Sequence, residues 1–445
     1  MRVAIIGAGI SGLSTAFYLR QHRPDWQITL LDAAPMAGGT MHTEAIDGFL
    51  FEAGGNGFLT SKPDSLQLVK DAGAEDLLLP SSDLARKRYI YTDRLHRLPE
   101  SPPLFLTSGL LTLSQKLRVA AELFVPARRD AGEETLQSFG YRRLGKAFTD
   151  VFLDAMTAGI YATTPDRISV NAAFPLVVAL ERDHGGLFRG MLAKRKKQAG
   201  PGGVLMSFKG GVGSFIAHLV NSLAADVQLV TAARDLVRDD HTYHVITDDH
   251  EILADRVVLA TPAHVAAALL RRLDTDVADL LDGIGYSPIA VVGLGYRQAP
   301  RPLDGFGLLT TTAAQLPILG VLWDSSIFPD RAPPGGSTLR VMIGGQRNPE
   351  LVDQDDAGLL ATARAGLART MDLHTEPDVT YIRRWRHGIP NYAVGHLDTV
   401  ARIAARIDRL PGLHLNSNAY RGIAMNDCVR NSRLLAESLA AAPDG

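Results

Sequence analysis

The feature that most constrains the fold is a glycine-rich turn near the N-terminus, between a short apolar run and a helical stretch. The apolar run covers residues 1–6, and the glycines that follow it are Gly7, Gly9 and Gly12. Gly7 allows a tight turn out of a strand, Gly9 lets the backbone approach a pyrophosphate, and Gly12 lets helix and strand pack closely. The spacing therefore predicts a strand, a turn and a helix whose N-terminus holds phosphates.

A second apolar run, residues 28–31, ends in Asp32, which follows Gly12 by 20 residues. An acidic residue at this distance is placed to bind the ribose hydroxyls of a dinucleotide. Its carboxylate disfavours a 2′-phosphate, so the pattern indicates FAD or NAD and not NADP. A glycine turn that binds nothing is the alternative, and it is disfavoured because strand, glycines, helix, second strand and acid occur together.

A glycine pair, Gly38-Gly39, follows Asp32 and is more typical of FAD oxidoreductases than of NAD enzymes. Such glycines bring backbone beside the pyrophosphate and the ribityl chain of a flavin. A second loop, residues 51–58, is too rich in glycine to be a regular element. An ordinary surface turn is an equally good interpretation of this second loop.

Composition limits the classes of protein to which the chain can belong. Of its 445 residues 46% are hydrophobic and 21% are charged, which fits a globular protein of two or three domains. The formal net charge of −2 gives no reason to expect a nucleic-acid partner. The single cysteine, Cys428, excludes an internal disulfide and fits a reducing cytosol. We expect no metal, no membrane span and, because the first strand begins at Met1, no cleavable signal.

The rest of the chain alternates helical and strand-like segments. Helices are predicted at residues 62–80, 133–160, 210–223, 359–370 and 427–439, and strands at 86–91, 227–230, 235–237, 243–247, 256–260, 289–296, 307–311, 320–323, 339–344 and 412–415. The strands that begin at residue 227 resume the nucleotide-binding fold. The nucleotide-binding domain is therefore discontinuous, and the intervening segments form a second domain on the substrate side.

Residues 104–129 form an apolar region that is edged with basic side chains. Such a region is able to dock on a membrane surface or to cover an apolar substrate. An amphipathic helix packed on the protein's own core is the more usual outcome for this pattern.

Several separated motifs resemble one family, the HemY-type porphyrinogen oxidases of the flavin amine oxidase superfamily. Besides the N-terminal turn and Gly38-Gly39, the resemblance is carried by residues 88–91 with 98–99, 158–162, 260–262, 305–307, 390–396 and 422–428. It covers almost the whole chain. The Tyr-Ala-Val-Gly-His stretch at 392–396 and the loop at 422–428 are its most specific parts.

The resemblance implies a two-domain fold like that of monoamine oxidase. The expected class is α/β, with a Rossmann-type FAD-binding domain, a discontinuous α+β substrate-binding domain and a helical insertion. The expected segments are 1–80, 206–285 and 401–445 for the FAD-binding domain, 81–205 for the helical, membrane-associating insertion on the substrate side, and 286–400 for the substrate-binding sheet domain.

Site residues follow from the resemblance position by position. FAD would be held by Gly7, Gly9, Gly12, Asp32, Gly38, Gly39, Val237, Ala424 and Met425. Val237 would contact the adenine through its backbone, and the Ala424 and Met425 amides would lie near the N1/O2 edge of the flavin. Arg88 would pair with a substrate propionate. The macrocycle pocket would be lined by Gly159, Phe306, Leu309, Leu322 and Met342, although ordinary core packing is an equally good interpretation of each of the last four.

The implied activity is the six-electron oxidation of protoporphyrinogen IX to protoporphyrin IX, with FAD as cofactor and oxygen or another electron acceptor. The sister activity, coproporphyrin III formation from coproporphyrinogen III, stays open. More distant alternatives are an amine or carotenoid-type oxidase and a non-catalytic FAD-dependent scaffold. The resemblance is compatible with a cytoplasmic protein in peripheral contact with the inner face of the cell membrane, and with a homodimer.

Departures from the family pattern fall at a few positions. Thr40 stands where the family commonly has Arg or Lys, Gly55 replaces a usual proline, Thr163-Thr164 a usual Gly-Asp, and Ala424 a usual glycine. None of these changes removes a required chemical group, but together they leave the substrate choice open. No side chain is a convincing catalytic base, and His396 is expected to be structural.

Overall fold

The computed structural model describes residues 1–128, 132–195, 203–224 and 226–442. Its strands are, in chain order, β1 (Arg2–Ile6), β2 (Gln27–Leu31), β3 (Thr43–Ile46), β4 (Phe49–Glu52), β5 (Phe58–Leu59), β6 (Leu78–Pro80), β7 (Arg88–Tyr91), β8 (Leu95–Arg97), β9 (Leu205–Phe208), β10 (Val227–Gln228), β11 (Ala233–Asp239), β12 (Thr242–Thr247), β13 (Glu251–Ala254), β14 (Arg256–Leu259), β15 (Tyr286–Tyr296), β16 (Gly307–Thr310), β17 (Ile318–Leu322), β18 (Ser337–Gly344), β19 (Val379–Pro390) and β20 (Leu413–Leu415).

Helices connect these strands and also form a separate cluster. They are α1 (Ile10–His22), α2 (Asp64–Asp71), α3 (Pro102–Thr107), α4 (Leu113–Ala120), α5 (Leu136–Arg143), α6 (Lys146–Phe148), α7 (Asp154–Tyr161), α8 (Val170–Ala173), α9 (Pro175–His184), α10 (Leu187–Arg195), α11 (Val212–Ser222), α12 (Ala263–Leu270), α13 (Thr275–Asp282), α14 (Asp324–Ile327), α15 (Asp356–Met371), α16 (His396–Ile407) and α17 (Met425–Ala441).

One sheet carries the predicted nucleotide-binding fold. Its five strands have the order β10-β2-β1-β14-β20, and every pairing in it is parallel. The helices α1 and α17 lie together on this sheet: Ser432 Oγ on α17 donates to the Ser11 carbonyl oxygen at 2.9 Å, and Asn416 Nδ2 donates to Thr15 Oγ1 at 2.9 Å. The Rossmann-type architecture and its assembly from distant segments are therefore confirmed.

A larger sheet has seven strands in the order β19-β15-β18-β17-β16-β7-β8. All its pairings are antiparallel except that of β16 with β7, which is parallel. The strand predicted at 86–91, within the segment 81–205, is found as β7, which extends this sheet together with β8. The β3–β4 hairpin packs on this sheet, where the ring of Phe51 stacks on that of Tyr381 in β19 at a centroid distance of 5.8 Å, and β5, β9 and β6 form a separate small sheet.

The predicted strands at 235–237 and 243–247 do not join the nucleotide-binding sheet. They belong to β11 and β12, which form a separate antiparallel sheet with β13. A reversal between Asp239 and Thr242 pairs β11 with β12 and leaves β11 as an edge strand.

Two predicted helices are shorter or more broken than expected. The helix predicted at 62–80 ends at Asp71, because Gly73 adopts φ +64° and the following residues pair as β6 with β9. The helix predicted at 133–160 is interrupted at Gly145, where φ is +91°, and by a π-helical turn at 149–153. The predicted helix at 359–370 is confirmed as α15, which Asp355 caps by accepting from the Gly358 amide at 2.8 Å.

The apolar region at 104–129 divides its residues between a core and the surface. Val119 is buried in the core of the helical cluster, which it shares with Phe139 and Tyr161. Large apolar side chains of α3, α4 and the turn after them are exposed instead, among them Leu106 (64%), Leu113 (73%) and Phe124 (84%). No helix within the described part of the chain is long and apolar enough to cross a bilayer.

Candidate functional site: a dinucleotide turn facing a half-apolar sheet

The turn between β1 and α1 has the backbone geometry that its glycines require. Gly7 adopts φ +106°, and a Cβ there would lie 2.9 Å from the Ala260 carbonyl oxygen. A Cβ at Gly12 would lie 1.9 Å from the Gly7 carbonyl oxygen, so the helix packs directly on the turn. Among the residues that the structure describes, none has a heavy atom within 4 Å of a Cβ built at Gly9, and none caps with its side chain the helix that begins there. The turn therefore offers open space beside free amides at a helix N-terminus, which fits a pyrophosphate.

Asp32 lies at the carboxyl end of β2, beside this turn. Its Oδ2 accepts from the Ala8 amide at 2.7 Å and its Oδ1 accepts from the Ala34 amide at 2.8 Å. These bonds fix the carboxylate and leave further lone pairs for hydroxyl donors. The geometry fits the ribose of a dinucleotide.

The glycine pair closes over the turn. The Gly38 amide donates to the Ala8 carbonyl oxygen at 2.8 Å, and a Cβ at Gly39 would lie 3.6 Å from Gly9 Cα. The loop 53–57 lies beyond the pair, because a Cβ at Gly54 would lie 2.4 Å from the Thr40 carbonyl oxygen. The glycine turn, the Gly38-Gly39 pair and the loop 53–57 thus lie side by side, and a cofactor longer than a mononucleotide fits along them.

The three remaining predicted cofactor residues lie at other parts of the FAD-binding domain. Ala424 precedes the first residue of α17, whose N-terminus also has no side-chain cap, and Met425 is buried. Val237 lies on the edge strand β11, and the segment before this strand joins the Asp32 loop, since the Thr231 amide donates to the Asp32 carbonyl oxygen at 2.8 Å. The structure thus offers a second helix N-terminus for negative charge and an unpaired strand edge for a base.

The predicted substrate residues share one face of the seven-stranded sheet. Leu309 pairs with Gly320, which pairs with Met342; in the adjacent row Arg88 pairs with Gly307, which pairs with Leu322. Because directly paired residues lie on the same face, these side chains all point to one side. The intervening residues Leu308, Val321 and Val341 point to the other side and are buried against α15.

Two glycines allow the Leu309 side chain to pack closely against the neighbouring strand and helix on this face. A Cβ at Gly320 would lie 3.0 Å from Leu309 Cδ2, and a Cβ at Gly159 on α7 would lie 2.8 Å from the same atom. Leu309, Leu322 and Met342 are only partly buried, and Phe306 packs with Leu322 in a small cluster. The structure therefore brings the five predicted pocket residues to one apolar surface.

Arg88 is the cation on this face at the end of β7. Its guanidinium carbon lies 5.0 Å from the centroid of the Phe306 ring, and the side chain is exposed. No carboxylate in the described ranges pairs with Arg88. The guanidinium therefore has its hydrogen-bond donors available for an external carboxylate.

Neighbouring cations are arranged differently from Arg88. Lys87 precedes it, so its side chain takes the opposite side, and its Nζ lies 2.6 Å from Asp304 Oδ1. Arg97 pairs with Tyr89 on the face opposite to Arg88, and its Nη2 lies 2.7 Å from Glu100 Oε1. The Nε atom of Arg86 lies 3.3 Å from Oδ1 of Asp83, and both side chains are exposed.

His396 has the structural environment that was predicted for it. It is buried, its ring stacks on Tyr392 at a centroid distance of 4.1 Å, and its Nε2 lies 3.1 Å from the Tyr420 carbonyl oxygen. Burial lowers the pKa of His396, which favours the neutral ring. Burial raises the pKa of Cys428 to about 11, so this cysteine is a neutral thiol.

A buried network that the sequence does not predict joins the seven-stranded sheet to β4 and to the glycine loop that follows it. Arg331 Nη2 lies 2.9 Å from Glu52 Oε1, and Arg340 Nη2 lies 3.0 Å from Asp324 Oδ1. Trp385 Nε1 donates to the Ala53 carbonyl oxygen at 2.7 Å. Burial raises the pKa of Glu52, while Arg331 and the Thr43 hydroxyl oppose this effect. The sequence gives no indication that these charged residues are buried, because an arginine is normally expected at the surface.

The chain is similar to known flavin-containing proteins in sequence and in structure over almost its whole length. A family model described as "Flavin containing amine oxidoreductase" matches residues 10–440. A coproporphyrinogen III oxidase of Bacillus subtilis is 28% identical over 453 residues, covering 96% of this chain and 95% of the relative. A chloroplastic protoporphyrinogen oxidase of Nicotiana tabacum is 28% identical, with coverages of 98% and 84%. A crystal structure from Exiguobacterium sp. that carries the provisional name protoporphyrinogen oxidase has a TM-score of 0.88 at 29% identity, with coverages of 99% and 98%.

Proposed function

The chain belongs to the flavin containing amine oxidoreductase family, and from this premise we propose that it oxidises protoporphyrinogen IX to protoporphyrin IX. The family confirms the predicted FAD cofactor and oxidoreductase class. The relatives named coproporphyrinogen III oxidase and protoporphyrinogen oxidase support a porphyrinogen substrate. The observation that carries the proposal is the sheet face on which apolar side chains surround one unpaired guanidinium.

That face matches the chemistry of a porphyrinogen. The substrate is an apolar, non-conjugated macrocycle that carries carboxylates, so it requires a broad apolar surface and a cation at its rim. Leu309, Leu322 and Met342 supply the surface, and the exposed Arg88 supplies the cation. A guanidinium binds a propionate through two parallel hydrogen bonds, which fixes the edge of the ring as well as its charge.

The protein's contribution to catalysis is then orientation in a water-poor cleft. When bound, FAD supplies the redox chemistry by taking an electron pair as hydride from a meso carbon and passing it to oxygen or another acceptor. Three such pairs leave the substrate. Three protons leave as well, two from pyrrole nitrogens and one from the fourth meso carbon, whose C–H bond becomes acidic once the neighbouring rings are conjugated. These losses require no dedicated side-chain base, in agreement with the buried and engaged His396. Arg88 and the apolar face hold the ring while this happens.

The arrangement of cations favours protoporphyrinogen IX over coproporphyrinogen III. The second substrate carries two more propionates and would gain from further free cations at the rim. Lys87 and Arg97 instead take the opposite face and pair with Asp304 and Glu100. The relatives named for the coproporphyrinogen activity keep that substrate as the alternative.

The deciding experiment compares the two porphyrinogens directly. FAD-loaded protein is mixed in air with protoporphyrinogen IX or with coproporphyrinogen III, and porphyrin fluorescence is followed against a blank without enzyme. Faster turnover of protoporphyrinogen IX supports the proposal. Preference for coproporphyrinogen III assigns the protein to the sister activity. Inactivity with both, despite bound FAD, reopens the amine and carotenoid-type alternatives and the non-catalytic scaffold.

We also propose a cytoplasmic protein that touches the inner face of the cell membrane through the exposed apolar side chains of α3 and α4. Leu106, Leu113 and Phe124 support this, as does an adjacent groove of about 650 Å³ that includes Leu110 and Phe148 in its lining. Flotation with anionic liposomes tests this contact by comparing the wild-type protein with a variant that carries both Leu113→Glu and Phe124→Glu. Equal recovery of both proteins in the unbound fraction contradicts the contact. A homodimer is a separate proposal, and sedimentation tests it.

A further inference from the structure

We propose that Arg340 is a positioning residue for the flavin site: it reaches from the substrate-side sheet and fixes the glycine loop 53–57, which lies against the Thr40 backbone beside the Gly38-Gly39 pair. Nothing in the sequence resemblance assigned it this role. The inference rests on the flavin cofactor and is independent of which substrate is oxidised.

The contacts of Arg340 are made to backbone oxygen atoms of this loop. Its Nη1 donates to the carbonyl oxygen of Glu52 at 3.2 Å and to that of Gly54. Its Nη2 lies 3.0 Å from Asp324 Oδ1, and both charged side chains are 2% exposed. Asp324 therefore neutralises the buried charge, while the other half of the guanidinium binds the loop.

Trp385 completes the same set of contacts from another strand of the sheet. Its Nε1 donates to the Ala53 carbonyl oxygen at 2.7 Å. Three successive carbonyl groups, those of residues 52, 53 and 54, thus accept hydrogen bonds from side chains of the seven-stranded sheet. A loop fixed at three consecutive peptides has little freedom to rotate.

The orientation of these carbonyls determines the orientation of the amides. In a planar trans peptide the C=O of one residue and the N–H of the next point in opposite directions. Fixing the carbonyls of Ala53 and Gly54 therefore directs the amides of Gly54 and Gly55 away from their side-chain donors. Within the described ranges, no acceptor is recorded for these two amides. They are fixed donors beside the Thr40 backbone, which follows the Gly38-Gly39 pair.

Fixed donors of this kind stabilise negative charge without reorganisation. A dinucleotide brings negative charge with its pyrophosphate, and a flavin gains more when it is reduced. Arg340 is expected to affect both the affinity for FAD and the reduction potential of the bound flavin. A purely structural arginine would affect only the stability of the fold.

Arg331 supplies the matched control. It is buried as completely as Arg340 and lies in the same network, but its Nη2 contacts the side chains of Glu52, at 2.9 Å, and Ser207, at 2.8 Å. None of its recorded contacts is to a carbonyl of residues 52–54. Replacing it tests the cost of disturbing a buried ion pair without releasing the loop carbonyls.

The experiment compares Arg340→Lys with Arg331→Lys in the full chain. FAD affinity is measured by titrating apoprotein, the flavin midpoint potential by equilibration with a reference dye, and stability by thermal unfolding of the apoprotein. We expect Arg340→Lys to weaken FAD binding about tenfold, equivalent to ~1.4 kcal/mol, and to make the potential more negative. Arg331→Lys should lower the unfolding temperature while the affinity and the potential stay near wild type.

Two outcomes overturn the proposal. One is an Arg340→Lys protein whose FAD affinity and potential match wild type, and the other is an equal change of both quantities in the Arg331→Lys protein. If Arg340→Lys does not fold, Trp385→Phe removes one donor to the same loop while keeping an aromatic ring. A shift of affinity and potential in the same direction then supports loop positioning, and unchanged values contradict it. No porphyrinogen enters these measurements, so their outcome is separate from that of the proposed function.

Discussion

Leu308 and Leu309 are identical neighbours on one strand, yet they belong to different regions of the molecule. Leu308 is 2% exposed and packs with Val321 and Val341 in the core under α15. Leu309 is only partly buried and lies between Gly159 and Gly320 on the face that carries Arg88. Because successive side chains of a strand point to opposite faces, the two leucines lie on opposite sides of the sheet.

The difference shows how one sheet performs two tasks. The face that includes Leu308 is filled to the density of a core and holds the strands in register. The face that includes Leu309 is apolar as well, but the side chains of Leu309, Leu322 and Met342 on it are only partly buried. Substitutions on the first face should therefore affect folding, and those on the second should affect substrate use.

The largest expected effect is that of Leu308→Ala on stability. Removing a fully buried leucine side chain should lower the free energy of unfolding by about 2–5 kcal/mol. Chemical denaturation of the FAD-loaded protein measures this value. Leu309→Ala is the matched control, and an equally large loss of stability there would contradict the division between the two faces.

Arg88→Ala should have the next largest effect, on catalysis rather than folding. Loss of a charge-assisted contact to a propionate should lower kcat/KM for protoporphyrinogen IX by about tenfold to a hundredfold. FAD should stay bound, with an unchanged absorption spectrum. Arg88→Lys should lie between wild type and the alanine variant, because it keeps the charge and loses the planar fork. Unchanged steady-state kinetics would exclude the propionate contact.

Gly159→Ala should reduce the room over the open face. The added Cβ would lie 2.8 Å from Leu309 Cδ2, so the leucine must move into the cleft. We expect kcat/KM to fall about tenfold, the effect of one misplaced methyl group in a pocket. Combining Gly159→Ala with Leu309→Ala should recover part of this loss, and strictly additive losses would show that the two positions do not meet.

The smallest expected effect is that of Asp304→Asn. It releases Lys87 from its ion pair on the side of the sheet away from Arg88. The ratio of rates with coproporphyrinogen III and protoporphyrinogen IX should change by less than about twofold, as for an exposed ion pair. A large gain with coproporphyrinogen III would show that Lys87 reaches the substrate and would favour the sister activity.

Sequence reasoning succeeded where the determining interactions are local. The turn at Gly7, Gly9 and Gly12 and the acid at Asp32 are set by spacing within one βαβ unit, and the structure places them as predicted. The helix α15 was also predicted to within a few residues, because its cap and its apolar period are local.

Long-range pairing is where prediction failed or gave no result. The β7 strand pairs with β16, which lies more than 200 residues away in the sequence, and nothing in either segment predicts this pairing. The long strand β19 was not predicted, because its arginines and histidine interrupt the alternation of apolar residues. The predicted helix at 62–80 was wrong at its C-terminal end, since the partner of β6 lies at residues 205–208.

Buried charge was the least predictable part of the site. Arg331, Arg340 and Glu52 are almost wholly buried, although such residues are normally exposed. They are buried because each finds a partner from a distant segment. Pairings between distant segments produce no periodic pattern in the sequence from which they could be predicted.

The contact between α17 and α1 has a consequence for biosynthesis. Ser432 and Asn416 bind partners on α1, so one wall of the FAD-binding domain comes from the last helix of this sequence. A ribosome adds roughly 5–20 residues per second, so the N-terminal turn emerges many seconds before that helix. During this interval the nascent chain contains the glycine turn and α1 but not α17, so the face of α1 that later packs against α17 stays exposed. The FAD-binding domain is therefore completed only when the chain has been translated through α17.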